Sequence, residues 1–182
     1  MAIDKITVIG GGTMGNGIAH VCAQYGRSVY LTDVSKEVLD NALTTILNNL
    51  DRQVKKEVID EPTKDEIIRR IHLTTSLEEA VEEAQLVIEA VPENADLKLD
   101  LFKQLDGMVA SETILASNTS SISITAIAAN TARPDRVIGM HFMNPVPVMK
   151  LIEIIRGLAT SDETADSVVD LSKELGKIPV IV

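Results

Sequence analysis

Aromatic side chains make up only 2% of the 182 residues and tryptophan is absent, so the core must be aliphatic. Any flat ring that the protein binds is expected between Val, Ile, Leu and Met side chains rather than on an aromatic shelf. Cysteine occurs once, which excludes an internal disulfide. Cys22 lies among Ile18, Ala19, Val21 and Ala23, an apolar helical stretch in which a thiol is a small core residue. The three histidines, His20, His72 and His141, show no ligand spacing with one another or with Cys22, so no metal site is expected. Basic residues are in deficit, 17 Lys and Arg against 27 Asp and Glu. The resulting net charge of −10 argues against a nucleic acid or an anionic membrane as the main partner. No apolar run reaches membrane-spanning length, and Met1 to Lys5 lead at once into a strand-like segment without a signal or transit peptide. The expected location is therefore the cytoplasm.

What is present has a globular balance, 45% hydrophobic and 24% charged, in a length that suits one domain of roughly 100–200 residues. Short runs rich in Val, Ile and Leu alternate with longer helical patterns. Strands are expected at 5–10, 28–33, 71–75, 85–91, 113–116, 136–141, 150–156 and 177–182. Several of these runs are continuously apolar, as strands buried on both faces are, and the helical segments between them imply parallel crossovers. The reading is a doubly wound α/β fold with a mostly parallel sheet. The connection at 35–70 is too long for a simple crossover. It holds a long helical pattern, the break Asp60-Glu61-Pro62-Thr63, and a second helix from about Lys64, together a helical hairpin standing out from the sheet.

The first strand runs into Gly10-Gly11-Gly12-Thr13-Met14-Gly15 and then a helix. Gly10-x-Gly12-x-x-Gly15 in this strand-turn-helix setting is the fingerprint of a Rossmann-type dinucleotide site. Gly10 permits the turn, Gly12 lets backbone approach a pyrophosphate, and Gly15 lets helix pack on strand, while the anion rests on the unpaired N–H groups at the helix start, around Thr13 and Met14. Asp33 ends the second strand at the spacing expected of the acid that accepts hydrogen bonds from a ribose 2′-hydroxyl. Val34, Ser35 and Lys36 follow it with no arginine to receive a 2′-phosphate, so NAD is expected rather than NADP.

His141 ends a buried-type strand, at the edge where open α/β sheets bind ligands. Glu153 lies inside another apolar run and shares a face with Leu151 and Ile155 by alternation. A carboxylate among such neighbours needs a partner, and His141 is the best that the chain offers. Such a pair suits alcohol–ketone redox chemistry, in which a base removes the hydroxyl proton as hydride leaves carbon. Taken locally, the same residues also read as an edge-strand glutamate and a core histidine.

The glycine fingerprint, Ser117-Asn118-Thr119-Ser120-Ser121 and, above all, the segment from His141-Phe142-Met143-Asn144-Pro145 to Lys150-Leu151-Ile152-Glu153 resemble the L-3-hydroxyacyl-CoA dehydrogenase family, in particular its bacterial 3-hydroxybutyryl-CoA members. The resemblance covers essentially the whole chain. It implies hydride exchange between NAD(H) and C3 of a 3-hydroxyacyl-CoA or 3-oxoacyl-CoA, with His141 as acid/base and Glu153 orienting it. It assigns Ser120 and Asn144 to substrate and nicotinamide contacts, Glu93 and Lys98 to the nicotinamide ribose, and Lys56 to coenzyme A. Locally, Ser120 also reads as a cap for a helix around 124–130, Asn144 as a turn residue, and Pro92-Glu93 as a first helical turn. Arg52, Lys55 and Lys56 share one helix face, a basic patch for the CoA phosphates or simply a solvated surface. The resemblance also implies a homodimer, formed through an all-helical C-terminal domain that closes over the substrate and that is not among these residues. With that domain lacking, turnover should be poor, and a stand-alone NAD(H)-binding module stays open as the alternative. Binding measured by NADH fluorescence should be on the order of tenfold or more tighter than NADPH binding, because Asp33 repels a 2′-phosphate.

Overall fold

A computed structural model describes residues 3–182. The strands are β1 Lys5–Ile9, β2 Ser28–Thr32, β3 Ile71–Thr74, β4 Leu86–Glu89, β5 Ile114–Ser117, β6 Val137–Phe142, β7 Leu151–Arg156 and β8 Ile178–Ile181. Every strand-like run of the sequence is thus a strand, with ends displaced by one or two residues. Between them lie α1 Thr13–Gln24, α2 Lys36–Lys55, α3 Glu61–Arg69, α4 Leu77–Val81, α5 Ala95–Asp106, α6 Ile124–Ala128 and α7 Asp162–Glu174. The sheet order is β3-β2-β1-β4-β5-β6-β7-β8, so the first six strands have the doubly wound order, with its switch point between β1 and β4.

Period-two alternation sorts the aliphatic side chains onto the two faces. In β4, Leu86 and Ile88 join one core with Ile18 and Ala19 of α1, Ile46 of α2, Ile67 of α3 and Val168 of α7. Val87 joins a second core with Phe102 and Leu105 of α5 and Ile127 of α6. Cys22 is fully buried in the first core, the small apolar role expected of it.

One junction departs from the parallel pattern. β6 and β7 are antiparallel, whereas the other neighbouring strands pair in parallel. A parallel return needs a crossover of a dozen or more residues, and the segment 143–150 is too short for one. The chain therefore doubles back beside β6, and the parallel pattern resumes only through α7 into β8.

The hairpin at 35–70 forms from α2 and α3. Leu39, Ala42, Ile46, Leu50 and Ile67 face the core, while the far turn around Lys55, Lys56 and Val58 is exposed. Residues 60–63 are not a break before α3: Asp60 caps it by accepting from Thr63 N–H, and Pro62 sits in its first turn, where the missing donor costs nothing. No helix among the described residues is long and apolar enough to cross a membrane.

The α1–α2 contact contains a titratable group. His20 is fully buried, with Nε2 3.0 Å from Gln24 Oε1 and Nδ1 without a partner. Burial, opposed in part by the Gln24 hydrogen bond and reinforced by the nearby Lys177 charge, lowers its pKa to about 4. Because the folded value lies below the unfolded one, the full stability is present above about pH 6.5 and is lost as pH falls toward 4. Urea unfolding from pH 7 to 4.5 should show His20→Gln losing about 2–3 kcal/mol less stability than the unsubstituted chain.

Candidate active site

The glycine turn is built for close approach. Gly10 has φ +102°, and its N–H donates to Thr32 O at 2.8 Å. A Cβ on Gly15 would stand 1.6 Å from Gly10 O, so no side chain fits between α1 and the turn, whereas a Cβ on Gly12 would meet nothing within 4 Å. The other six α-helices have a Ser, Asp or Asn side chain (Ser35, Asp60, Ser76, Asn94, Ser123 and Ser161) accepting from a first-turn N–H. α1 has Gly12 as its N-cap and no side-chain cap, so no side chain takes up its first-turn N–H groups, those of Thr13 and Met14 among them. Asp33 accepts from Gly11 N–H at 2.9 Å through one carboxylate oxygen and from Ser35 N–H at 3.0 Å through the other, leaving lone pairs on both for hydroxyl donors. An uncapped helix start, an unfilled space at Gly12 and a part-exposed carboxylate fit a dinucleotide's pyrophosphate and adenosine ribose.

Beside the switch point, the ends of β4, β5 and β6 enclose a cleft of about 350 Å³. Met14, Glu93, Lys98, Ser120, His141 and Asn144 all line it, so six of the residues marked by the sequence meet in one place. In the antiparallel β6–β7 register His141 stands directly opposite Glu153, and His141 Nδ1 lies 2.7 Å from Glu153 Oε2. Both side chains are partly buried. With Nδ1 held by the carboxylate, Nε2 is the nitrogen left for a ligand in the cleft.

Two of the local alternatives, the helix cap at Ser120 and the helical turn at Pro92-Glu93, are corrected by their neighbours, whereas Asn144 does lie in the bend before Pro145. Ser123, not Ser120, caps α6, which ends at Ala128. Asn94 caps α5, which begins at Ala95, so Pro92 and Glu93 precede the helix rather than form its first turn. Glu93 instead accepts from Thr119 Oγ1, from Ser120 N–H at 3.1 Å and from Ser121 N–H at 3.2 Å, which fixes the loop carrying Ser120. Burial would raise the Glu93 pKa, but the Thr119 and Ser121 hydroxyls and the Lys98 ammonium together hold it down to about 2. Lys98 is itself buried, 2.6 Å from Glu89 and 3.2 Å from Glu93.

A second cleft, of about 620 Å³, is lined by Arg52 and Lys56 on one side and by Pro145, Pro147, Val148 and Lys150 on the other. Lys55 is not part of its lining. The segment 143–150 therefore borders both clefts. It is pinned by the buried Lys177, whose Nζ donates to the carbonyls of Val146 and Met149.

Three contributors escaped the sequence. Asn118 Oδ1 accepts from Phe142 N–H at 2.9 Å, tying the end of β5 to the residue after His141, and its side chain lines the first cleft. Glu89 is a carboxylate ending an apolar strand, the same signal that marked Glu153, and it is fully buried. Lys177 carries no local signal, because its partners lie about 30 residues away.

Fold and site together define a dinucleotide-binding α/β domain that carries a histidine–carboxylate pair beside the cleft at its switch point. Residues 5–182 match the family described as 3-hydroxyacyl-CoA dehydrogenase, NAD binding domain, and the chain belongs to that family. It is 50% identical to the probable 3-hydroxybutyryl-CoA dehydrogenase of Bacillus subtilis over 100% of this chain and 63% of that protein. It is 46% identical to the human mitochondrial hydroxyacyl-coenzyme A dehydrogenase, over 98% of this chain and 58% of that one. The crystal structure of (S)-3-hydroxybutyryl-CoA dehydrogenase from Ralstonia eutropha superimposes with a TM-score of 0.97 at 50% identity, covering 100% of this chain and 64% of that one. The chain thus spans less than two thirds of the length of these relatives.

The glycine geometry separates folding from binding. Gly12→Ala should keep its stability to within about 1 kcal/mol in urea unfolding yet bind NADH roughly tenfold more weakly. Gly15→Ala should lose about 3 kcal/mol or fail to fold, because the clash is with backbone.

Proposed function

We propose that the chain forms the NAD-binding and acid/base part of an enzyme that exchanges hydride between NAD(H) and C3 of a short-chain (S)-3-hydroxyacyl-CoA or 3-oxoacyl-CoA, the 3-hydroxybutyryl-CoA and acetoacetyl-CoA pair. The observation that carries this reading is the His141–Glu153 pair, 2.7 Å apart, at the edge of the cleft that also holds Ser120 and Asn144.

When bound, the nicotinamide supplies or accepts the hydride at C3. In the oxidation direction His141 Nε2 takes the proton of the 3-hydroxyl, and in reduction it returns one to the forming alkoxide. Glu153 keeps the Nδ1–H tautomer and stabilises the imidazolium that results. The Ser120 hydroxyl and the Asn144 amide, both exposed in the cleft, supply hydrogen bonds to the C3 oxygen and the thioester carbonyl or to the nicotinamide. Thr13, Met14 and the glycine turn hold the pyrophosphate, Asp33 the adenosine ribose, and Glu93 with Lys98 border the nicotinamide ribose. Val34, 98% exposed beside Asp33, offers the adenine an aliphatic contact of the kind an aromatic-poor chain requires. Arg52 and Lys56 in the second cleft receive phosphates of coenzyme A, with the acyl end running past segment 143–150 to His141.

Full turnover and dimerisation require a further helical part, in keeping with the greater length of the relatives. NADH oxidation with acetoacetyl-CoA, assayed for these residues alone and for the chain extended to the length of its relatives, tests the proposal. Turnover restored by the extension supports it, and NADH binding without turnover in either form would favour a binding module instead. In the active form, Glu153→Gln should lower kcat by roughly 10²–10⁴-fold while the NADH Kd stays within about threefold.

A further inference from the structure

Beneath the first cleft lies a chain of three charged side chains from different elements: Glu89 at the end of β4, Glu93 in the following loop and Lys98 on α5. Glu89 is fully buried. Its Oε1 accepts from Lys98 Nζ at 2.6 Å and from Val91 N–H at 2.7 Å, and its Oε2 accepts from Ser117 Oγ at 2.6 Å. Ser117 Oγ also accepts from Thr119 N–H at 3.1 Å, so the hydroxyl both accepts from the loop and donates to Glu89. Three donors on two oxygens are what an ionised carboxylate takes, so Glu89 carries a charge inside the fold.

Lys98, 1% exposed, is the one ammonium shared by two carboxylates, and it sits closer to Glu89 than to Glu93, which is 3.2 Å away. The buried pair neutralises itself. Glu93, with 39% of its side chain exposed, thus keeps most of its charge on the cleft side. Among the described residues that line this cleft there is no other carboxylate, ammonium or guanidinium; its remaining titratable member is His141, and Glu153 behind it is a carboxylate that adds negative rather than positive charge. The triad by itself sums to one net negative charge in a partly desolvated wall, where screening is weaker than in water, and Glu153 does not offset it.

The oxidised nicotinamide ring is cationic and the reduced ring is neutral. We propose that the Glu89–Lys98–Glu93 triad makes this cleft discriminate between the redox states of the cofactor, stabilising the bound oxidised form relative to the reduced form. The inference rests on the nicotinamide occupying the first cleft, as in the reading above. Glu89 then acts as a positioning residue: by holding Lys98 it leaves the Glu93 charge uncompensated.

Dissociation constants of NAD+ and NADH, by calorimetry and by NADH fluorescence, test this without any turnover. Glu93→Gln and Glu89→Gln each remove one unit of charge, the second by freeing Lys98 to neutralise Glu93. Each should raise the ratio of the NAD+ to the NADH dissociation constant by roughly three- to tenfold. Ser121→Ala deletes the 3.0 Å hydroxyl contact to Glu93 without changing charge and should leave the ratio unaltered. A parallel weakening of both nucleotides in the two charge variants, with the ratio constant, would mean that the triad only shapes the loop and overturns the proposal. If Glu89→Gln does not fold, Glu93→Gln decides alone, since its side chain is half exposed. Failure of the unsubstituted chain to bind either nucleotide overturns the dinucleotide reading itself, a result distinct from a constant ratio.

Discussion

The short return of the chain after β6 is the constraint on which the candidate chemistry depends. A sheet built by helical crossovers runs in one direction, and each of its carboxyl-terminal ends delivers a single residue to the ligand edge. Segment 143–150 cannot make such a crossover, so β7 pairs antiparallel with β6. Directly opposed residues of an antiparallel pair project to the same face, close enough for their side chains to touch. His141 and Glu153 therefore meet through backbone register rather than through flexible side-chain reach. A slip of one residue would send Glu153 to the opposite face and leave the imidazole without a partner.

The second requirement is that the loops around the switch point be rigid without closing the cleft. Buried charge supplies that rigidity: Glu89 and Lys98 lie beneath the surface, and Glu93, held above them, organises the N–H and O–H groups of 119–121. An ion pair taken out of water is a poor source of stability, since desolvation offsets most of the Coulomb attraction. Its value here is positional. Lys177 does the same for segment 143–150, where a buried ammonium bonded to two carbonyls takes the place of regular secondary structure. Burial lowers the Lys177 pKa, a direction that follows from the carbonyls' failure to replace water fully.

Much of this architecture was legible in the order of the residues. Strands buried on both faces are continuous apolar runs, and the eight runs became the eight strands of the sheet. The glycine fingerprint was legible because a backbone turn with φ +102° and a 1.6 Å approach exclude side chains at Gly10 and Gly15. Glu153 was legible because a carboxylate in an apolar run needs a partner. Helix starts were less so: Ser120, Glu93 and the 60–63 segment all have residue types that cap or open helices. Only packing decides which of several neighbouring Ser, Asp or Asn residues accepts the first-turn N–H.

By itself, then, the sequence determined the fold class, the dinucleotide turn and the two members of the histidine–carboxylate pair, since each is encoded in periodicity, in glycine geometry or in the cost of an unpaired charge. The tertiary structure alone decided the register that joins His141 to Glu153, the convergence of six separated residues on one cleft, and the burial of Glu89, Lys98 and Lys177. These are contacts between residues distant along the chain. Their energies depend on which groups lose water together, and no local pattern records that.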